Sequence, residues 1–343
     1  VASGAAVSDS VASGRRYARF VLDGDSPPYT FAFAVADFDI TDQDAAVPVR
    51  HALLAGEPAG GLSRTPEALA VLTDLLGPYP YAGYMTVQVP MVYAGMENVT
   101  ASFLRADLYR TEATGRTIVE EVNLHELVHQ WWGNAIVPSD WRDLWLAEGA
   151  ATYFTNEAYR LMDGEDAGRR YLTLMSRSIS AEDAARVLAP SAYDDPADVL
   201  TPTVYQKGGA VFHLLRLTLG EDVFYEAIRQ LGRDFADRPL ATDGFRAALE
   251  EASGRDLGPL FDRWVRSEGL PTLRARWDEP TRTLSWSIEG DDGTLDGVPF
   301  EVLIRQGDES WFVPATDGVF SPAGDRRPTI EPVGILLTVE QER

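Results

Sequence analysis

The sequence predicts an α+β protein, because its two hydrophobic periods occupy separate stretches of the chain instead of alternating. Strand-like segments run up to Leu108, and from Arg116 onward apolar residues recur at spacings of three and four. After Thr272 the period returns to two, which marks a small all-β tail.

Taken in order, Arg16–Leu22 and Tyr29–Ala36 read as two strands separated by Pro27-Pro28. Residues 64–76 read as a helix with Pro66 in its first turn, followed by Pro78 and Pro80. Tyr84–Pro90 is the next strand, then a loop through Gly95 and a strand over Val99–Leu108. Helical segments follow near 117–135, 145–162, 166–180, 203–219, 221–234, 243–252 and 256–267, the last stopped by Gly269 and Pro271. In the tail, Leu284, Trp286 and Ile288, then Val302 and Ile304, alternate around a Gly/Asp turn at 290–293.

At 343 residues the chain is long enough for two or three domains, and its 45% hydrophobic and 24% charged residues exclude a disordered or fibrous protein. No run of 18 apolar residues occurs, so no helical membrane span is expected. The absence of cysteine removes disulfides, thiolate metal ligands and thiol nucleophiles. A net charge of −23 would repel phosphate backbones and anionic lipid, which argues against nucleic-acid and membrane partners. That acidity fits a solvated surface or a salt-adapted one. Of the 30 basic side chains 29 are Arg, and Lys207 is the exception. Residues 1–14 have neither the basic nor the apolar region of a signal peptide, so any such signal would lie upstream of Val1.

The informative segment is 121–134, EVNLHELVHQWWGN, with H-E-x-x-H at His125, Glu126 and His129. Four residues apart on a helix, two imidazoles lie on one face with Cβ atoms ~5–6 Å apart. That places both within reach of one tetrahedral Zn2+ at ~2.0–2.1 Å. With four His and 23 Glu in the chain, about 0.003 chance matches to this pattern are expected, so the risk of a false match is small. A catalytic zinc site takes three protein ligands and leaves a position open. Glu148 follows His129 by eighteen intervening residues at the start of an amphipathic helix, enough chain for a loop and a return. It completes a His₂Glu set.

This arrangement resembles the gluzincin aminopeptidases of the aminopeptidase N type. Three further stretches share the resemblance: Ala94-Gly95-Met96-Glu97-Asn98, with Ala where the family has its first Gly; His129-Gln-Trp-Trp-Gly-Asn134; and Tyr205-Gln-Lys207-Gly208. The likeness covers roughly residues 27–271. It implies a thermolysin-like zinc peptidase catalytic domain over 41–270 and residues 1–40 as the last strands of a larger N-terminal β domain, while the alternating tail gives a small sandwich-like β domain over 271–343.

In chemical terms, zinc would lower the pKa of a bound water to ~7. Glu126 would act as general base and hand the proton to the leaving amine. The resemblance makes Tyr205 the donor to the developing oxyanion, with one Zn2+ held by His125, His129 and Glu148. Glu97, in a loop with Gly95, Met96 and Asn98, would pair with the α-ammonium of a peptide carrying a free N-terminus. The strand entering that loop could pair with an extended peptide. Asp143 is either a partner of a ligand imidazole or the N-cap of the 145–162 helix. Trp131 and Trp132 read as packing residues, and His51 and His213 as structural.

The expected activity is zinc-dependent removal of N-terminal residues from peptides. Rival readings are a bifunctional epoxide hydrolase-aminopeptidase, an open-cleft endopeptidase, and a non-catalytic peptide-binding module, the last opposed by the intact Glu126 and Tyr205.

Overall fold

A computed structural model of the chain describes residues 1–57, 60–110, 112–113, 116–236, 238–324 and 326–342. They fall into two compact units, Val1–Ser139 with Ile228–Leu240, and Asp140–Ala227 with Ala241–Arg343.

The first unit opens with a hairpin of β1 (Ala5–Ala12) and β2 (Arg15–Val21), turned at Ser13 and Gly14, both at positive φ. Its main sheet contains β3 (Phe38–Gln43), β4 (Val49–Leu54), β5 (Tyr84–Val89), β6 (Gly95–Met96) and β7 (Ala101–Arg105), in the order β3-β4-β5-β7-β6. β4, β5 and β7 run parallel, and β3 and β6 pair antiparallel at the two edges. The crossover from β4 to β5 is α1 (Thr65–Leu76), which buries Ala68, Leu69, Leu72, Leu75 and Leu76 and stops at Gly77, φ 99°. After a short pairing of β8 (Glu112–Ala113) with β9 (Arg116–Thr117) comes α2 (Ile118–Val128). Val119, Leu53, Leu62, Leu104, Leu108 and Tyr109 form the apolar cluster next to α2. A buried polar chain fixes the helix as well: Tyr84 donates to Asn123 Oδ1 at 3.1 Å, and Asn123 Nδ2 donates to Thr65 Oγ1 at 3.0 Å.

The second unit is helical and then all-β. It contains α3 (Trp145–Asp163), α4 (Glu165–Arg177), α5 (Ala181–Ala185), α6 (Gly208–Leu219), the start of α7 (Glu221–Asp234), α8 (Thr242–Ser253) and α9 (Gly258–Phe261). Its core is aromatic: Trp145 meets Phe212, Phe245 and Phe261, and Tyr153 stacks on Phe212. The tail holds β10 (Thr272–Asp278), β11 (Thr283–Glu289), β12 (Glu301–Gln306), β13 (Glu309–Pro314), β14 (Val319–Phe320), β15 (Thr329–Pro332) and β16 (Thr338–Glu342). These make two sheets, β14-β11-β10-β16 and β13-β12-β15. Leu172 and Met175 of α4 pack with Leu303, Val333 and Leu336 of the tail. The expected mixed α+β class with an all-β C-terminal region is what the chain forms.

Several expectations need correction. Tyr29–Ala36 is not a strand: Pro28–Thr30 is a 3-10 turn, and the stretch makes one isolated bridge, Ala2 to Phe33. β1, β3, β4 and α5 had not been expected. The helix expected over 117–135 ends at Val128, and Trp131 and Trp132 lie in the turns beyond it. The strand expected over 99–108 is the shorter β7, followed by a 3-10 turn at Ala106–Arg110. No helix of the described residues is long and apolar enough to cross a membrane.

Candidate metal centre and active site

α2 carries the H-E-x-x-H segment, and its packing accounts for which side chains turn inward. Val119, Leu124, Leu127 and Val128 are buried on the apolar side, and Glu126 and His129 are also buried, at 5% and 2% exposure. A helix burying a carboxylate and an imidazole this deeply needs partners for both. His129 Nδ1 lies 2.9 Å from the carbonyl of Trp132. A carbonyl only accepts, so Nδ1 holds the proton and Nε2 is left with its lone pair. That lone pair points at Nε2 of His125, 3.2 Å away.

The ligand atoms of His125, His129 and Glu148 all lie within 4.8 Å of one another, and Glu148 is buried in the first turn of α3. Two imidazoles and a carboxylate, one imidazole fixed in its ligating tautomer by a carbonyl, form a donor set that fits zinc.

The loop predicted to recognise the substrate amine sits beside this helix. Gly95 and Met96 form β6, paired with Leu104 and Phe103. A Cβ on Gly95 would lie 2.1 Å from Glu126 Oε1, so the Glu126 carboxylate packs directly on the bare backbone of the loop. The carbonyl of Glu97 accepts from Asn134 Nδ2 at 2.7 Å and from Gln130 Nε2 at 3.3 Å. Gln130 Oε1 in turn accepts from the amide of Thr100, a residue at φ 62°. Glu97 is half-buried and Asn98 buried. The strand entering the loop, β5, is paired on both sides and cannot accept a peptide; β6, in the loop itself, is one of the two edges of this sheet.

In the second unit, Tyr205 is half-buried in a π-helical turn, Thr203–Lys207, that leads into α6. Gly208, at the end of this turn, meets Gly149 of α3: a Cβ on either would come within 2.8 Å of the other's backbone. This approach brings the chain three residues beyond Tyr205 against the neighbour of Glu148. Asp143 accepts from the backbone and hydroxyl of Thr242 at 2.9 and 2.7 Å, tying it to the start of α8. The N-cap of α3 is Leu144, with no side-chain cap, so the capping role considered for Asp143 is not the one it plays.

A family model described as the peptidase family M1 domain matches residues 62–264, more than half of the chain. The chain belongs to peptidase family M1. An M1 zinc metallopeptidase from Deinococcus radiodurans superposes with a TM-score of 0.69 at 25% identity, covering 79% of this chain and 61% of that one. A mutant of that family from the same organism has been solved with a Tyr-Ser-Ala substrate bound. Aminopeptidase M1-C of Oryza sativa is 26% identical over 264 residues, and aminopeptidase 2 of Candida albicans is 29% identical over 263. These alignments cover 73% and 72% of this M1 chain but 28% of each relative, so the chain spans little more than a quarter of their length.

Some residues of this M1 site were not assigned roles from the sequence. Gln130 and Asn134 hold the Glu97 carbonyl, the Trp132 carbonyl orients His129, and Gly149 admits Gly208, while Gly95, expected in the substrate loop, has the unexpected task of making room for Glu126. Gln130, Asn134 and Gly208 stood inside the motifs, but what each one touches depends on contacts between distant segments. Trp131 and Trp132 are buried, and Trp131 Nε1 donates to the Gly77 carbonyl at 3.0 Å, in keeping with packing. His51, buried in β4, meets Thr86 Oγ1 at 2.7 Å.

Proposed function

We propose that this M1 chain carries the catalytic machinery of a zinc-dependent aminopeptidase acting on peptides with a free N-terminus. The observation that carries the reading is the convergence of His125, His129 and Glu148 donor atoms within 4.8 Å inside the M1 match. These three residues would hold one Zn2+ per chain. Bound there, zinc would supply Lewis acidity, polarising the scissile carbonyl and acidifying a water near neutral pH.

The other roles fall to side chains. Glu126, fixed between α2 and Gly95, takes the proton of the attacking water on its carboxylate and returns it to the departing amine nitrogen. Tyr205 donates its hydroxyl to the carbonyl oxygen as negative charge develops there. The Glu97 carboxylate pairs with the substrate α-ammonium, a contact that an internal peptide bond cannot offer. Gln130 and Asn134 hold the Glu97 carbonyl and so set the course of the loop that carries this side chain. Gly95, Met96 and Asn98 complete the loop, and the edge strand β6 offers backbone groups along which a peptide could extend. A tripeptide substrate bound to the related Deinococcus enzyme is consistent with this class of ligand.

The test uses metal-loaded protein and matched aminoacyl amides, one with a free amine and one N-acetylated, with and without chelator. Cleavage confined to the free amine and abolished by chelator is expected. Equal cleavage of both substrates would remove Glu97 from amine recognition, and chelator-resistant cleavage would remove the metal.

A further inference from the structure

Lysine occurs once in this chain, against 29 arginines, and that one residue is not on the surface. Lys207 is 1% exposed and ranks among the largest fully buried side chains. Its ammonium donates to the carbonyl of Arg186 at 2.5 Å. Burial, and then the like charge of Arg263, push its pKa down to about 8, with no carboxylate among the described residues raising it again. An uncompensated cation in such a place is costly, so its single strong contact needs an explanation.

That contact closes one end of the π-turn that carries Tyr205. At the other end Thr203 Oγ1 donates to the carbonyl of Asp183 at 2.8 Å. Both acceptors belong to one segment, α5 and the residue after it, which is itself anchored. The Ala185 carbonyl accepts from Gly269 at 2.7 Å, and the Val265 carbonyl accepts from Leu188 and Ala189 at 3.0 Å each. A π-turn is wider than an α-turn and is rarely stable by itself, so outside restraints must hold it. A compact ammonium on a flexible stem reaches a lone carbonyl in a closed space that a planar five-donor guanidinium would not fit.

We propose that Lys207 is a positioning residue for Tyr205: the Lys207–Arg186 and Thr203–Asp183 hydrogen bonds clamp both ends of the π-turn and so fix the direction of the hydroxyl between them. The catalytic half of this proposal rests on Tyr205 being the oxyanion donor; the clamp itself does not.

The experiment compares Lys207→Met, Lys207→Arg and Thr203→Val with the parent chain, in wild-type and Tyr205→Phe backgrounds. Hydrogen–deuterium exchange of the 203–207 amides is expected to speed up by about tenfold or more in Lys207→Met, with α2 and α8 unchanged. With an aminoacyl amide substrate, kcat is expected to fall about tenfold or more while KM moves less than about threefold. In the Tyr205→Phe background the same change should cost less than about twofold, because the two residues act as one unit. Lys207→Arg should not rescue. Thr203→Val, a milder change, should show the same pattern with a smaller loss, which keeps the idea testable if Lys207→Met does not fold. Unchanged exchange overturns the clamp, and equal kcat losses in both backgrounds overturn the link to Tyr205. An inactive wild-type chain would count against the aminopeptidase reading alone, since exchange still decides the clamp.

Discussion

Glu126 is wedged against a residue that has no side chain, and that contact makes its carboxylate sensitive to a change on a different segment. Gly95→Ala would put a methyl 2.1 Å from Glu126 Oε1, so one of the two must move. If Glu126 is the proposed base, a shift of its carboxylate by ~1 Å is expected to cost on the order of 10²-fold in kcat, with metal content intact, read by steady-state kinetics alongside zinc analysis. Glu126→Gln should likewise keep the metal and cut turnover by ~10²-fold or more; wild-type turnover in this variant would remove Glu126 from the chemistry. The candidate ligands were legible in the sequence because a spacing of four on one helix is itself a geometric statement, and Glu148 followed from the need for a third donor. The contacts of Gly95, Gln130 and Asn134 were not, because what a loop residue touches is decided by segments dozens of positions away.

The crossing of α3 with the start of α6 depends on two bare Cα positions. Gly149→Ala would bring a methyl 2.7 Å from the Gly208 backbone, where no flexible side chain can give way. Overpacking of this kind is expected to cost about 1–3 kcal/mol, seen as a lowered Tm with and without metal. A Tm within error of the parent chain would mean the helices separate freely. Long helices such as α3 and α6 were readable from their apolar spacing, since each buries a continuous stripe. The strands were less so. β1, AAVSDSVA, is exposed along its whole length and therefore has no inside–outside alternation to detect. Tyr29–Ala36 does alternate, yet Phe33 and Val35 are 76% and 91% exposed, so the pattern there was not produced by burial. The π-turn at Thr203–Lys207 was hidden because a wider turn keeps nearly the same apolar spacing as an α-helix.

At the scale of the molecule, acid should unfold this protein through histidines outside the candidate metal centre. Burial pushes the pKa of His51 down from 6.5 to about 4 and, aided by Arg216 and Arg160, that of His213 to about 3. Both are neutral when folded, whereas the unfolded chain binds protons on them below its ordinary value. Stability is therefore full above about pH 6.5 and lost as pH falls toward these depressed values, by at most about 1.4 kcal/mol per pH unit and group. Urea titrations between pH 7 and pH 4 should give His213→Gln a shallower acid limb than the parent; parallel limbs would mean the ring is already protonated in the fold. Two features outside any motif, depth of burial and nearby arginines, set this behaviour, and neither can be read from the positions of four histidines in a sequence.

The single buried lysine also changes how the protein meets reagents. With every other basic side chain an arginine, amine-directed labels, crosslinkers and lysine-reading ligases find no side-chain target on the folded surface. A label that does appear on Lys207 marks a molecule whose π-turn has opened, so the residue doubles as a built-in reporter of the segment it holds.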